Sequence, residues 1–178
     1  MRKGSLPPIS LLLFSNTVTV VNTDDMKPLS SVEINKVLEN NNVTKRFFIG
    51  TYPSCITPKT SKRTYAFITN VDEHDMPGLH WNAWFVEGRK ISFFDSFGRD
   101  WEDETLPKHY RDTVKLFEKI HYTTDRVQGW DSVACGFFCV HFLYIKSLGL
   151  DYDDFLADYT MDFEKNDRIV HEFYNSIH

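Results

Sequence analysis

Two hydrophobic periods alternate along the chain. Val32, Ile34, Val37 and Leu38 form a stripe at helical spacing, and Ser30 or Ser31 opens it, with Ser30 and Glu33 making a capping box. Asn40-Asn41-Asn42 ends that helix. After Arg46-Phe47-Phe48-Ile49-Gly50-Thr51-Tyr52 and a loop carrying Pro53 and Pro58 come three strand candidates, over 64–70, 79–87 and 90–94. Only Gly88-Arg89 separates the last two, which predicts a hairpin. A polar helix is expected over about 106–119 and a fourth strand over 120–127. Residues 134–148 are apolar on nearly every side, through Phe137, Phe138, Val140, Phe142, Leu143 and Ile145, and stop at Gly149. That is the pattern of a buried central helix with a glycine C-cap. An acidic stretch, 151–167, runs into a final helix over 163–174. Strands and helices mixed without strict alternation predict one α+β domain over 30–178. Residues 1–29 read as an N-terminal arm or extension, with Pro7-Pro8 and the β-prone Thr17-Val18-Thr19-Val20-Val21.

Composition narrows the class. The chain has 178 residues, 42% hydrophobic and 15% aromatic, which excludes a disordered or fibrous protein. A net charge of −5 argues against a dedicated nucleic-acid binder, whose domain is usually basic. Three cysteines are too few and odd in number for a disulfide framework, so a reducing, intracellular setting is expected. The run Leu11-Leu12-Leu13-Phe14 is too short for a signal-peptide core, and no stretch approaches the roughly 18 apolar residues of a membrane span. A soluble protein is expected.

Four residues could carry chemistry. Cys135 opens the buried helix, where exposed amides and the positive end of the helix dipole favour a thiolate. The competing reading is that it is packing filler, as Cys139 one turn deeper should be. His80 begins the second strand candidate and could take a proton from a thiol, or be an ordinary structural histidine. Asp95 closes the strand paired with the one that His80 opens, so it could orient the imidazole, or simply belong to the turn Asp95-Ser96-Phe97-Gly98. Gln128, seven residues before Cys135, could join the Cys135 amide in an oxyanion hole, or be a loop glutamine. Base, carboxylate, amide donor and thiol together are far more specific than any one alone. A zinc site is not expected: Cys135, Cys139 and His141 share one helix without ligand spacing, and no second pair answers them.

The blocks Gly78-Leu79-His80-Trp81, Phe93-Phe94-Asp95-Ser96-Phe97-Gly98 and Val127-Gln128-Gly129-Trp130-Asp131-Ser132-Val133-Ala134-Cys135-Gly136-Phe137-Phe138-Cys139 resemble the adenovirus maturation proteases, the adenains. Phe47-Phe48-Ile49-Gly50-Thr51-Tyr52 is similar to the segment opening that family's core. The resemblance covers roughly residues 30–150 and is most specific from Gln128 to Cys135. It implies the α+β cysteine-protease fold shared with deSUMOylating proteases, a mixed sheet packed on the helix that carries the nucleophile. It also implies roles: Cys135 nucleophile, His80 general base, Asp95 orienting carboxylate and Gln128 oxyanion donor. Trp81 is implied to wall a narrow tunnel for the substrate's last residues.

Departures qualify the resemblance. The family has Glu where Asp95 stands, whereas ubiquitin-like-protein proteases have Asp. Its activating peptide joins a cysteine before the Gln loop, and residues 117–127 contain none. Its DNA cofactor is not carried over to a chain of net charge −5 with an acidic C-terminal third, so no cofactor is expected. Together with a longer N-terminal arm and a shorter C-terminal part, these departures suggest an adenovirus-like lineage such as a virophage or polinton-type element. The expected activity is cleavage of viral capsid or core precursors after Gly-Gly or Gly-X, by a monomer in the virion and the host-cell cytoplasm or nucleus. Self-processing at Arg2-Lys3-Gly4-Ser5, with one glycine, is not supported. The enzyme alternative is a protease for SUMO or another ubiquitin-like modifier. The non-enzyme alternative is a binding module that keeps the fold.

Overall fold

The structure, a computed structural model, describes residues 26–72 and 79–178. The expectations for most of the N-terminal arm, for the apolar run 11–14 and for Met76-Pro77-Gly78 before His80 lie outside the described residues.

Chain entry is set by a cap. Helix α1 (Ser31–Asn40) has Ser30 as its N-cap, whose Oγ accepts from the Glu33 amide while the Glu33 carboxylate accepts from the Ser30 amide. Ile34, Val37 and Leu38 face inward, but Val32 is 73% exposed. It lies two residues before Ile34, off the i, i+3, i+4 face, so the stripe is narrower than the sequence suggested.

The sheet has the order β1 (Phe48–Tyr52), β2 (Thr64–Asn70), β3 (Trp81–Glu87), β4 (Lys90–Phe94) and β5 (Lys119–Tyr122). β1 runs parallel to β2, β2–β3 and β3–β4 are antiparallel, and β5 is parallel to β4. The mixed sheet and the Gly88-Arg89 hairpin are as predicted. Strand period two puts Ala66, Ile68, Ala83 and Phe85 on one face and Phe67, Trp84 and Val86 on the other. The first face packs on helix α3 (Cys135–Ser147), buried along almost its whole length, with Phe94 stacked on Phe142 at 4.9 Å. Ala83 is small on β3, the strand against which that helix packs. The second face packs under helix α2 (Lys108–Val114) through Tyr110 and Val114. Helix α4 (Tyr152–Leu156) and helix α5 (Phe163–Ser176) close the core behind α3.

Three boundaries differ from the sequence pattern. The polar helix is only Lys108–Val114, because Pro107 starts it late and Lys119 is drawn into β5 by its bond to the Arg89 carbonyl. The fourth strand ends at Tyr122 rather than 127. Thr123 and Asp125 turn the chain through paired side-chain bonds, and the Val127 and Gln128 amides then donate to the Ser96 carbonyl. Helix α4 was hidden in the acidic stretch, where Asp151 and Asp154 act as a capping box rather than as a charged run. Among the described residues no helix is long and apolar enough to cross a membrane.

Gly98 locks the loop after β4 to the chain leaving β5. Its φ is +74°, and a Cβ there would meet the Thr124 carbonyl oxygen at 2.5 Å, a contact with backbone that cannot rotate away. Gly98→Ala is expected to destabilise the fold by roughly 3 kcal/mol, combining left-handed strain with overpacking. Urea denaturation reads this directly; a midpoint equal to wild type would mean that the 123–127 segment is free to shift.

Candidate active site

The hairpin and the start of α3 bring the predicted residues to one place. His80 sits just before β3, held by its carbonyl's bond to the Val71 amide, and Asp95 just after β4. Because β3 and β4 are antiparallel, the start of one strand lies beside the end of the other. The His80 Nε2 lies 3.1 Å from Asp95 Oδ1, and both are buried. The same imidazole shares the cleft with Cys135, whose side chain and charge help to raise the His80 pKa. Cys135 is the first residue of α3, and Ala134 before it supplies no side-chain cap, so the dipole's positive end faces the thiol.

Asp95 is fully buried and both of its oxygens accept hydrogen bonds. Oδ1 also accepts from the Phe97 amide at 2.8 Å, and Oδ2 accepts from Arg99 Nε at 2.8 Å. Burial pushes its pKa up, but the bond and charge of His80, the Arg99 guanidinium and the Phe97 amide together hold it below the usual carboxylate range. Burial pulls His80 down, yet the bond to Asp95 and the Cys135 side chain, with their charges, raise it to about 9. In its protonated form His80 carries the proton that a leaving amine needs. Burial pushes Cys139 well up and His141 down to about 3. Cys139 donates to the Trp81 carbonyl and His141 bonds Tyr159, so both serve the interior.

Gln128 is placed differently from its expected use. It is fully buried, its Oε1 accepts from Ser96 Oγ at 2.6 Å, and its Nε2 donates to Ser132 O at 2.7 Å and Ser132 Oγ at 3.2 Å. Both amide hydrogens thus clamp the loop leading to Cys135, and Gln128 does not line the cleft. Ser132 Oγ also accepts from the Ala134 amide, and burial raises the pKa of Asp167 on α5 to about 6. An oxyanion would have to draw one Gln128 N–H away from Ser132.

Trp81 half-lines a cleft of about 660 Å³ that also holds His80, Cys135, Phe97 and Val133. Its indole Nε1 donates to the Leu29 carbonyl at 2.9 Å. Gly136 allows this approach: a Cβ there would meet Leu29 Cβ at 3.0 Å and Trp81 Cδ1 at 3.3 Å.

Sequence reasoning missed Arg99, although a cation four residues after a candidate carboxylate was a signal. It also missed a column of rings. His80 stacks on Phe97 at 4.6 Å and Phe97 on Trp130 at 5.0 Å. Arg126 lies over Trp130 at 4.7 Å and over Phe163 at 4.2 Å. No local pattern announces such long-range stacking. Among the described residues no cluster could hold a metal ion, and Cys55, Cys135 and Cys139 are free thiols.

A mixed sheet packed on a buried helix that opens on a cysteine, with a histidine–carboxylate pair beside adjacent strands, makes this an α+β fold. A crystal structure of an ASFV protease has the same fold, with TM-score 0.56 and 18% identity over 84% of this chain and 67% of that one. The chain belongs to the adenovirus endoprotease family, whose profile matches residues 47–176. It is similar to the protease of snake adenovirus serotype 1, 29% identical over 116 residues covering 57% of each chain. It is also similar to the protease of bovine adenovirus 2, 30% identical over 112 residues covering 55% of this chain and 54% of the other. The match thus spans little more than half the length of these relatives.

Proposed function

We propose that this protein is a cysteine endopeptidase that cleaves viral capsid or core precursors during particle maturation. Its site comprises Cys135, His80, Asp95, Gln128 and Trp81. The carrying observation is that His80, bonded to Asp95, shares one cleft with Cys135 at the first turn of α3, in a chain of the adenovirus endoprotease family. Cys135 attacks the scissile carbonyl as a thiolate. The oxyanion is held by the Cys135 amide and by a Gln128 N–H released from Ser132. His80 gives its proton to the departing amine, and the bond to Asp95 keeps the ring aimed. Water, deprotonated by His80, then hydrolyses the thioester.

The close approach of Trp81, Leu29 and Gly136 narrows the cleft beside Cys135, which supports cleavage after Gly-Gly or Gly-X, since a Cβ has little room there. No cofactor, metal or nucleic acid is invoked, and the enzyme acts as a monomer. The place of action is the virion and the host-cell cytoplasm or nucleus. A segment before Gln128 without cysteine supports a virophage or polinton-type origin.

Purified protein and its Cys135→Ala variant are to be incubated with a fluorogenic Gly-Gly peptide and a SUMO C-terminal amide. The expected result is cleavage of the short peptide, falling at least about a thousandfold in the variant. Cleavage of the SUMO substrate alone would move the reading to a modifier protease. Equal cleavage by the variant, or none by either protein, would overturn it.

A further inference from the structure

We propose that Phe97 and Trp130 form a rigid platform that receives an apolar or aromatic side chain of the residue following the scissile bond. This deepens the protease reading above and rests on it.

The cleft holds Cys135 and His80 together with Leu29, Trp81, Phe97, Ser132 and Val133. Leu29 and Trp81 come close to Gly136, the residue after Cys135, while Ser132 and Val133 precede Cys135 and Phe97 stacks on His80. We assign the first pair to one side of the cleft and the other three to the second side. The Trp81–Leu29–Gly136 approach makes the first side narrow, fit for the glycines of the acyl half. A peptide crossing the nucleophile must then lay its departing half on the Phe97 side. Val133, 40% exposed, and Phe97 begin an apolar strip there, and the Phe97–Trp130 stack extends it outward.

Trp130 is unusual among the large rings of this protein, because it is 66% exposed and yet fixed. Phe97 stacks on it at 5.0 Å with 25° between planes, and Arg126, itself 4.2 Å from the Phe163 ring, covers it at 4.7 Å. A tryptophan held in place while most of its surface faces water presents apolar area without losing rotamer freedom on binding, the property that makes it a favoured anchor. Of the polar groups on the cleft side of the stack, Ser132 O accepts from Gln128 and both Asp95 oxygens accept hydrogen bonds. The strip therefore offers contact area rather than hydrogen bonds, and its occupant is apolar.

The test uses internally quenched peptides that carry Gly-Gly followed by Phe, Leu, Gly or Asp, with wild type, Trp130→Ala and Trp130→Phe. Wild type is expected to favour Phe and Leu over Gly and Asp by about tenfold in kcat/KM. In Trp130→Ala that ratio should fall to about one, through KM, while Trp130→Phe keeps most of it. Three results would overturn the proposal: no preference in wild type, a preference for Asp directed by Arg126, or an unchanged ratio in Trp130→Ala. If Trp130→Ala lowers kcat for all four peptides alike at an unchanged ratio, the ring merely backs Phe97 and His80. If wild type cuts none of the four, the protease reading itself fails, and this one with it.

Discussion

Asp95→Asn is expected to lower kcat/KM on the Gly-Gly peptide by about a thousandfold to ten-thousandfold, the loss typical when a carboxylate that orients a catalytic histidine becomes an amide. The reason lies in three bonds made at once. Oδ1 faces the His80 Nε2 and the Phe97 amide, and Oδ2 faces Arg99. An asparagine can present its oxygen to only one side, so an NH₂ must face Arg99 or the donors at Oδ1. The fold should also lose roughly 2 kcal/mol, less than for a wholly buried pair because the Arg99 side chain is 22% exposed and can turn to water. With the carboxylate gone, burial dominates at His80 and its pKa falls, which an acid shift in the pH–rate profile would report. Activity within tenfold of wild type would show that Phe97 stacking alone aims the ring. Urea denaturation of the same variant separates the catalytic loss from unfolding.

Stability is expected to fall on the order of 3 kcal/mol as pH rises from 6.5 to 9, since His80 titrates near 9 in the folded chain against about 6.5 unfolded. A group whose folded pKa is raised stabilises fully below its unfolded pKa, and that contribution is gone above the folded one. Asp167, near 6, and His141, near 3 against about 6.5 unfolded, still titrate at the lower edge of this window, where Asp167 adds a small loss and His141 a small gain with rising pH, each below about 1 kcal/mol. Cys139, raised by burial, adds to the decline only where an unfolded thiol ionises, near pH 8.5. Urea midpoints at pH 6 and pH 9 read the loss, and His80→Gln should remove most of it. A flat wild-type profile would mean that His80 is neutral in the fold. Because domains hold only some 5–15 kcal/mol in all, the effect is large enough to see in a melt.

Much of the architecture could be read along the chain because it rests on local chemistry. The Ser30–Glu33 box, the Gly88-Arg89 turn and the unbroken apolar run of α3 each specify their element within a few residues. The errors fell where a distant partner decided. Lys119 leaves its helix for β5 because the Arg89 carbonyl is there to pair, and Val32 stays in water because the core lies on the other face of α1. Helix α4 went unseen since acidic residues cap helices as readily as they decorate surfaces.

The site divides the same way. Residue type and position made His80, Asp95 and Cys135 candidates, each beside an ordinary structural alternative, because a thiol at a helix start and a histidine and carboxylate at adjacent strand ends are defined by neighbours in sequence. The resemblance supplied their roles. The sequence by itself also determined family membership, through blocks of residues that recur in adenovirus proteases. Only the tertiary structure decided that Gln128 clamps Ser132, that Arg99 closes the Asp95 carboxylate, and that rings run from His80 to Trp130. Hydrogen bonds and ring stacks form between whatever side chains the fold makes adjacent, and sequence spacing carries no distance between loops that meet only after the sheet has formed.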